Sequence, residues 1–328
     1  MGAMDHQMGV KSEAVYGTPD GAVTDFFEYE SENISETYGR TEGDPLRVGS
    51  GFVRNDRFTP WIGGAAGTIQ MTAMTKGFGF WLNHMMGDAV VTSGPAETVV
   101  YTHTASEGEL LGESFTAQVN RPFHPSGTDQ AFTYSGGKIA KWTLSNSVDG
   151  NLLLDLDCDF QTWSTAVALA SASYAASMEP FSWVGGFVTI GGSNYDVTEF
   201  SLEVDNGLDV DRRQIRANPL KKEPTSSRRE ASFSISADFD SLDNRNRAAS
   251  LTRAGALAAV TGVWRGPTLL GSTLYPEFSV SLAAARFDEW SGATEGTDAI
   301  TQELSGVVRY DGTNSPVEVT YVTADATP

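Results

Sequence analysis

The period of apolar positions changes once between Gly67 and Gly87 (GTIQMTAMTKGFGFWLNHMMG). Ile69, Met71 and Ala73 alternate with Thr68, Gln70 and Thr72, the period of two that predicts a half-buried β-strand. Beyond Lys76, Phe78, Trp81, Leu82 and Met85 fall at i, i+3, i+4 and i+7. That is one stripe of a short amphipathic helix, which Gly87 can stop. The unit returns 164 positions on, where Ser232–Ala237 (SFSISA) lies over Thr68–Ala73 (TIQMTA), apolar on apolar and polar on polar. Asp240 or Ser241 can then cap a second helix through Arg253, with Gly255 near its end.

Other stretches echo in the same order. Phe27–Asn33 (FEYESEN) lies over Phe200–Asn206 (FSLEVDN), Phe115–Val119 (FTAQV) over Phe278–Leu282 (FSVSL), and Ile139 opens a strand as Ile300 does. The ordered echoes predict a tandem duplication of one β-rich domain of about 165 residues, the size of a single core. The expected division is an arm over 1–22, a first domain over 23–163, an Ala/Ser-rich linker over 164–180 and a second domain over 181–328. Further strands are predicted at 98–104, 114–120, 131–135, 277–284, 299–310 and 317–322. A hairpin over 138–161 turns at Asp149-Gly150, and another turns around Gly191-Gly192.

Composition agrees with a turn-rich all-β protein: 328 residues, 34 of them glycine, with 40% hydrophobic and 10% aromatic. The one cysteine, Cys158, excludes an intrachain disulfide and a cysteine-built zinc site, and reads as a buried thiol. The start, MGAMDHQMGVKSEAVYG, lacks the apolar core of a signal peptide, and no run reaches membrane-span length. Synthesis in a cytoplasm, with retention there or release by lysis, is the expectation. The net charge of −20 argues against tight nucleic-acid binding, which needs clustered Lys and Arg. It leaves open a surface past which nucleic acid moves without sticking.

Charge is not evenly spread. Glu28, Glu30 and Glu32 form an acidic stripe while Phe27, Tyr29 and Ile34 are read as facing inward, Glu203 and Asp205 hold the matching face of the second copy, and Asp155, Asp157 and Asp159 alternate with Leu154, Leu156, Cys158 and Phe160. Each stripe is a solvated sheet face or the lining of a channel; alternation alone does not choose. A calcium loop starting at Asp155 would need Gly and Glu where Phe160 and Ala166 stand, so that motif is excluded. Gly39–Gly64 reads as a long loop carrying Arg40, Arg47, Arg54 and Arg57. Its counterpart, Gly207–Arg229, carries Arg212, Arg213, Arg216, Lys221, Lys222, Arg228 and Arg229, opposed within 212–229 only by Glu223. Such a concentration in an acidic chain is either a solvated loop or half of a complementary contact.

No catalytic constellation emerges. GxSxG, HExxH, a phosphate-binding loop and a dinucleotide fingerprint are all missing, and the histidines sit apart. His84 reads as a helix-surface or core histidine. The expectation is no enzyme, no cofactor and no metal.

The order of pieces, GVKSEAVYGTPDG, then DFFEYESENI, then GTIQMTAMTKGFGFWLNHMMG, with the closing ARFDEWSGATEGTDAITQELSGVVRYDGTNSPVEVTYVT, resembles the tail tube (major tail) proteins of long-tailed bacteriophages. The resemblance spans nearly the whole chain and rests on no single motif. It implies β-sandwich domains with a flanking helix, whose inner strands join into a ring-spanning β-barrel. Rings stack into a virion tail tube through which DNA leaves, and a long loop between early strands reaches the next ring. Gly39–Gly64 and Gly207–Arg229 match that loop by position. Tail terminator, tape-measure and baseplate proteins are the partners the family implies. The apparent doubling departs from the usual single domain per chain, and implies three chains per ring with pseudo-sixfold symmetry instead of six. The competing expectation is a β-sandwich recognition module, glycan-binding or adhesin-like, with Trp61, Trp163, Trp183, Trp264 and Trp290 as a possible aromatic platform.

Overall fold

The computed structural model describes residues 6–43, 49, 51–97, 99–292 and 300–328. The chain is mostly β. Its first half runs β1 (Met8–Glu13), β2 (Asp25–Phe27), β3 (Ser31–Glu32), β4 (Ser35–Glu42), β5 (Phe58–Thr72), α1 (Phe80–Met86), β6 (Val90–Ala96), β7 (Val100–Ala105), β8 (Ser114–Asn120), β9 (Ala131–Ser147), β10 (Leu153–Phe160) and β11 (Thr162–Ser164). The second half runs β12 (Gly186–Ile190), β13 (Ser193–Tyr195), β14 (Val197–Asp205), β15 (Glu230–Asp238), α2 (Asp243–Ala248), β16 (Leu257–Arg265), β17 (Glu277–Gly292), β18 (Thr301–Val308) and β19 (Val317–Thr323).

Two long strands each serve two layers. The first part of β9 pairs with β8 and β11, while its second part pairs with β10 on one side and β14 on the other. β17 likewise pairs first with β16 and β19, then with β18. The circuit β5–β10–β9–β8–β1–β2, with β3 and β4 on β5, has a counterpart in β15–β18–β17–β16–β12–β13, with β14 on β15. α1 follows β5 as α2 follows β15. Two antiparallel seams join the halves, β9 to β14 and β7 to β19.

This circuit keeps some of the sequence echoes and displaces others. Thr68–Ala73 and Ser232–Ala237 lie on or at the ends of the corresponding strands β5 and β15. Phe115–Val119 lies in β8, whose counterpart by pairing is β16, whereas Phe278–Leu282 lies in β17. Ile139 lies in β9, which corresponds to β17 rather than to β18 beside Ile300. The partners of Ile69 and Phe233 are Glu32 and Leu202, so Glu32 stands at the place of Leu202 and not of Asp205.

The core fills the space behind the sheet. Ile69, Leu154, Leu156, Trp142, Leu144, Leu202, Phe233 and Leu304 are all buried. α1 covers the first-half part: Trp81, Leu82 and Met85 are fully buried as the stripe predicts, and Trp81 meets Phe115 edge-on at 5.7 Å. Gly87, at φ +105°, ends the helix where a Cβ would run into the Gly108 carbonyl. α2 is shorter than the sequence pattern expects and stops at Ala248, because Ser250 and Thr252 hydroxyls engage local backbone groups instead of continuing the helix. The 164–180 segment forms no helix; it runs along β8, where the Gln118 side chain donates to the Ala168 carbonyl and accepts from the Ala170 N–H.

Gly39–Gly64 is not a loop throughout: Gly39–Glu42 and Phe58–Gly64 are strand. β4 and β5 pair from Ser35↔Ala66 out to Glu42↔Phe58 and form a hairpin arm, exposed on both faces, that bends off the sheet at a bulge beside Tyr38. With both faces in solvent the arm has no apolar alternation to betray it.

Candidate functional site

The face of the sheet opposite the core is built from small polar and acidic residues, and it is continuous across both halves. Strand registers place Thr68, Asp157, Lys141, Asp205 and Glu230 in one row. The next row holds Gln70, Asp155, Thr143, Glu203 and Ser232. A third holds Leu153, Ser145, Ser201, Ser234 and Ser305, and a fourth holds Ser147, Glu199, Ser236 and Glu303. Lys141 is the lone cation among seven carboxylates in these rows, so the face is strongly negative.

Local contacts hold the acids in place. Asp157 accepts from the Thr68 hydroxyl at 2.7 Å, and Lys141 reaches Glu203 at 2.7 Å diagonally across the β9–β14 seam. The hydrogen bond to Glu203, reinforced by the fields of Asp157 and Asp205, raises the Lys141 pKa and keeps the ammonium charged. Asp155 is held above the usual carboxylate range by partial burial first, with Asp157 and Glu30 adding to it against a hydrogen bond from Gln70. Asp205 accepts from the Gly207 N–H at 2.7 Å as its strand ends.

Four of the acids expected on stripes therefore meet on one face: Asp155, Asp157, Glu203 and Asp205. The rest divide. Glu30 sits at the border of that face and accepts from the Thr72 hydroxyl at 2.6 Å, and Glu28 is exposed beyond it. Glu32 turns the other way, paired with Arg121 at 2.7 Å, because the chain between β2 and β3 is irregular and alternation does not carry through it. Asp159 is buried and pairs with Lys221 at 2.5 Å. Burial raises its pKa, and Lys221 opposes the rise.

That ion pair belongs to the basic loop 207–229, which folds back onto the first half of its own chain. Lys221 crosses β5 at Gly64 (φ +90°), where a Cβ would stand 2.5 Å from the Phe160 carbonyl and 2.6 Å from the lysine stem. Arg213 lies over the Trp61 ring at 4.4 Å and donates to the Gly63 carbonyl, clamping the base of the hairpin arm. Arg212 donates to the Glu223 carbonyl, Arg216 to those of Asn218 and Leu220, and Arg229 to those of Met86 and Gly108. Glu223 in turn reaches the fully buried Lys138 at 2.6 Å, whose pKa burial lowers against the pull of that carboxylate. Much of the expected stacking charge is thus spent inside the chain; Lys221 and Arg229 in particular are not free to meet a partner. Arg228 remains exposed, Lys222 half-exposed, and Arg40 exposed on the arm. Arg54 and Arg57 share Asp56 near the arm's tip, and Arg47 lies outside the described residues.

The largely buried cluster of Lys138, Asp159, Lys221 and Glu223 was not legible in the sequence, since it joins two distant stretches, 138–159 and 221–223. Among the described residues no group of three or more His, Cys, Asp or Glu could hold a metal ion, and no helix is long and apolar enough to cross a membrane. Three of the five tryptophans are engaged within the chain: Trp264 is buried, donating to Asn146 at 3.0 Å, Trp61 is covered by Arg213, and Trp290 packs on Phe239; Trp163 meets Tyr38 edge-on, and Trp183 is exposed. A family model described as phage tail tube protein matches residues 5–321. No curated protein matches the chain.

Proposed function

The chain belongs to the phage tail tube protein family, and from that premise we propose that it polymerises as stacked rings into the tube that conducts DNA to the host cell. The family points to a structural role in the virion tail rather than to catalysis. The observation that carries the finer reading is the acidic, serine-rich sheet face, which runs unbroken through β5, β10, β9, β14, β15 and β18. Closing that sheet into a barrel would remove its edges and put this face around the axis. DNA would then meet a wall of hydroxyls and carboxylates with few cations for its phosphates, so it would slide and not bind. Screening over about 8–10 Å confines the repulsion to a layer beside the wall.

We read the repeated pairing circuit as the mark of a duplicated tube domain, one copy in each half. Two copies per chain favour three chains per ring, with pseudo-sixfold symmetry, over six. The hairpin arm is the element best placed to reach the adjacent ring, with terminator, tape-measure and baseplate proteins at the tube's ends and interior.

The test is charge reversal on the face. Virions carrying Asp155→Lys, Asp157→Lys and Glu203→Lys together should assemble full-length tails but eject DNA more slowly than wild type. Ejection at the wild-type rate from such tails would remove this face from the channel.

A further inference from the structure

Among the described residues, two open strand edges flank the sheet that carries the acidic face. β17 pairs with β18 through Gly292; on its other side the Phe287 N–H still donates to the Ala256 carbonyl at 3.1 Å, and among the described residues no strand pairs with the other edge of 288–292. At the far side of the sheet, β3 and the start of β4 pair with β5 alone. Resting on the tube reading above, we propose that these edges are mates: edge 288–292 of one copy adds to edge 31–35 of a second copy, in the register of the internal β9–β14 seam.

The pairing circuit supplies the argument. β17 stands where β9 stands, and β3–β4 stand where β14 stands, yet only β9 and β14 have found each other within the chain. Carrying the internal register through those equivalences sets Ser291 opposite Ser31 and Glu289 opposite Asn33 of the second copy. The internal counterparts are Ser145 opposite Ser201 and Thr143 opposite Glu203. No like charges are directly opposed in either pair, which is what cross-strand neighbours require. On the core side Trp290 would meet Glu32, where the internal seam has Leu144 against Leu202. Arg121 already neutralises that carboxylate, at 2.7 Å.

The single chain also guards this edge. The Ile34 N–H donates to the Glu32 carboxylate at 3.0 Å, and the Ile34 carbonyl accepts from Arg121 at 2.8 Å. Side chains thus occupy both backbone groups of Ile34, a blunted edge of the kind that resists indiscriminate pairing. Docking of the second copy exchanges these contacts for strand-to-strand hydrogen bonds.

Paired cysteines test the register. Under mild oxidation, assembled Ser31→Cys/Ser291→Cys protein should give disulfide-linked oligomers on a non-reducing gel, and neither single variant should. Ser31→Cys/Gly292→Cys, one residue out of register and on opposite faces, should stay monomeric there; Cys158 is buried and takes no part. Normal tubes without the cross-link, or cross-linking by the shifted pair instead, would overturn the register while leaving the tube reading standing. Failure of the unmodified chain to assemble would overturn both. If only the double variant fails to assemble, cryo-electron microscopy of the unmodified tube decides: β17 beside the neighbour's β3 supports the proposal, and any other strand there overturns it.

Discussion

His84 lies between Phe80, ring centroids 4.5 Å apart, and Phe115 at 5.1 Å, with its Nε2 3.1 Å from the Ser12 hydroxyl. Burial lowers its pKa from 6.5 to about 3. The folded value lies below the unfolded one, so the neutral ring's contribution is complete above the unfolded pKa and is lost as pH falls through the window beneath it. Between about pH 7.5 and about pH 5 this one residue should cost about 2 kcal/mol of stability. Urea unfolding across that range checks it: His84→Gln should flatten the slope by about that amount, and an unchanged slope would put the titration elsewhere. Lys221 gives a second residue-scale prediction. Its ammonium compensates buried Asp159, side chains 6% and 9% exposed, so Lys221→Ala should destabilise by roughly 3–5 kcal/mol. Lys221→Met with Asp159→Leu, which removes both charges, should recover most of the loss in the same assay.

At the scale of elements, the helix α1 and the alternating strands were legible because their apolar periods face one core. Leu154, Leu156, Cys158 and Phe160 are buried as their spacing predicts. The same alternation fails where a strand has no buried face, which is why the β4–β5 arm reads as a loop. It fails again where parity is broken: the irregular chain at 28–30 turns Glu32 toward Arg121, out of line with Glu30. Serines 145, 201, 234 and 305 carry no charge or hydrophobic signal, so the face they share is visible only in the pairing register. The arm makes its own prediction. Replacing 43–57 by a two-residue turn keeps the Arg213–Trp61 clamp at its base. That variant should therefore unfold with a wild-type midpoint yet yield rings or short stacks by negative-stain microscopy. Tubes of normal length would show that the arm is not the stacking element.

At the scale of the molecule, the fold is one sheet system sewn at two seams, with the basic loop of the second half pinned into the first. The sequence echoes pointed to two similar halves, but two of them aligned strands that the circuit makes non-equivalent, since alternating strands resemble one another whatever their place in a sheet. Charge behaves in the same way. A net charge of −20 is visible in composition, yet which acids line a common face depends on strands brought together from far apart. The central claim is that this face surrounds a channel built by three chains per ring. A helical reconstruction of assembled tubes tests it most directly. The account predicts three chains per ring, with Asp155, Asp157, Glu203 and Asp205 facing the axis and the hairpin arm reaching the neighbouring ring. Six chains per ring, or those four side chains on the outer surface of the tube, would contradict it.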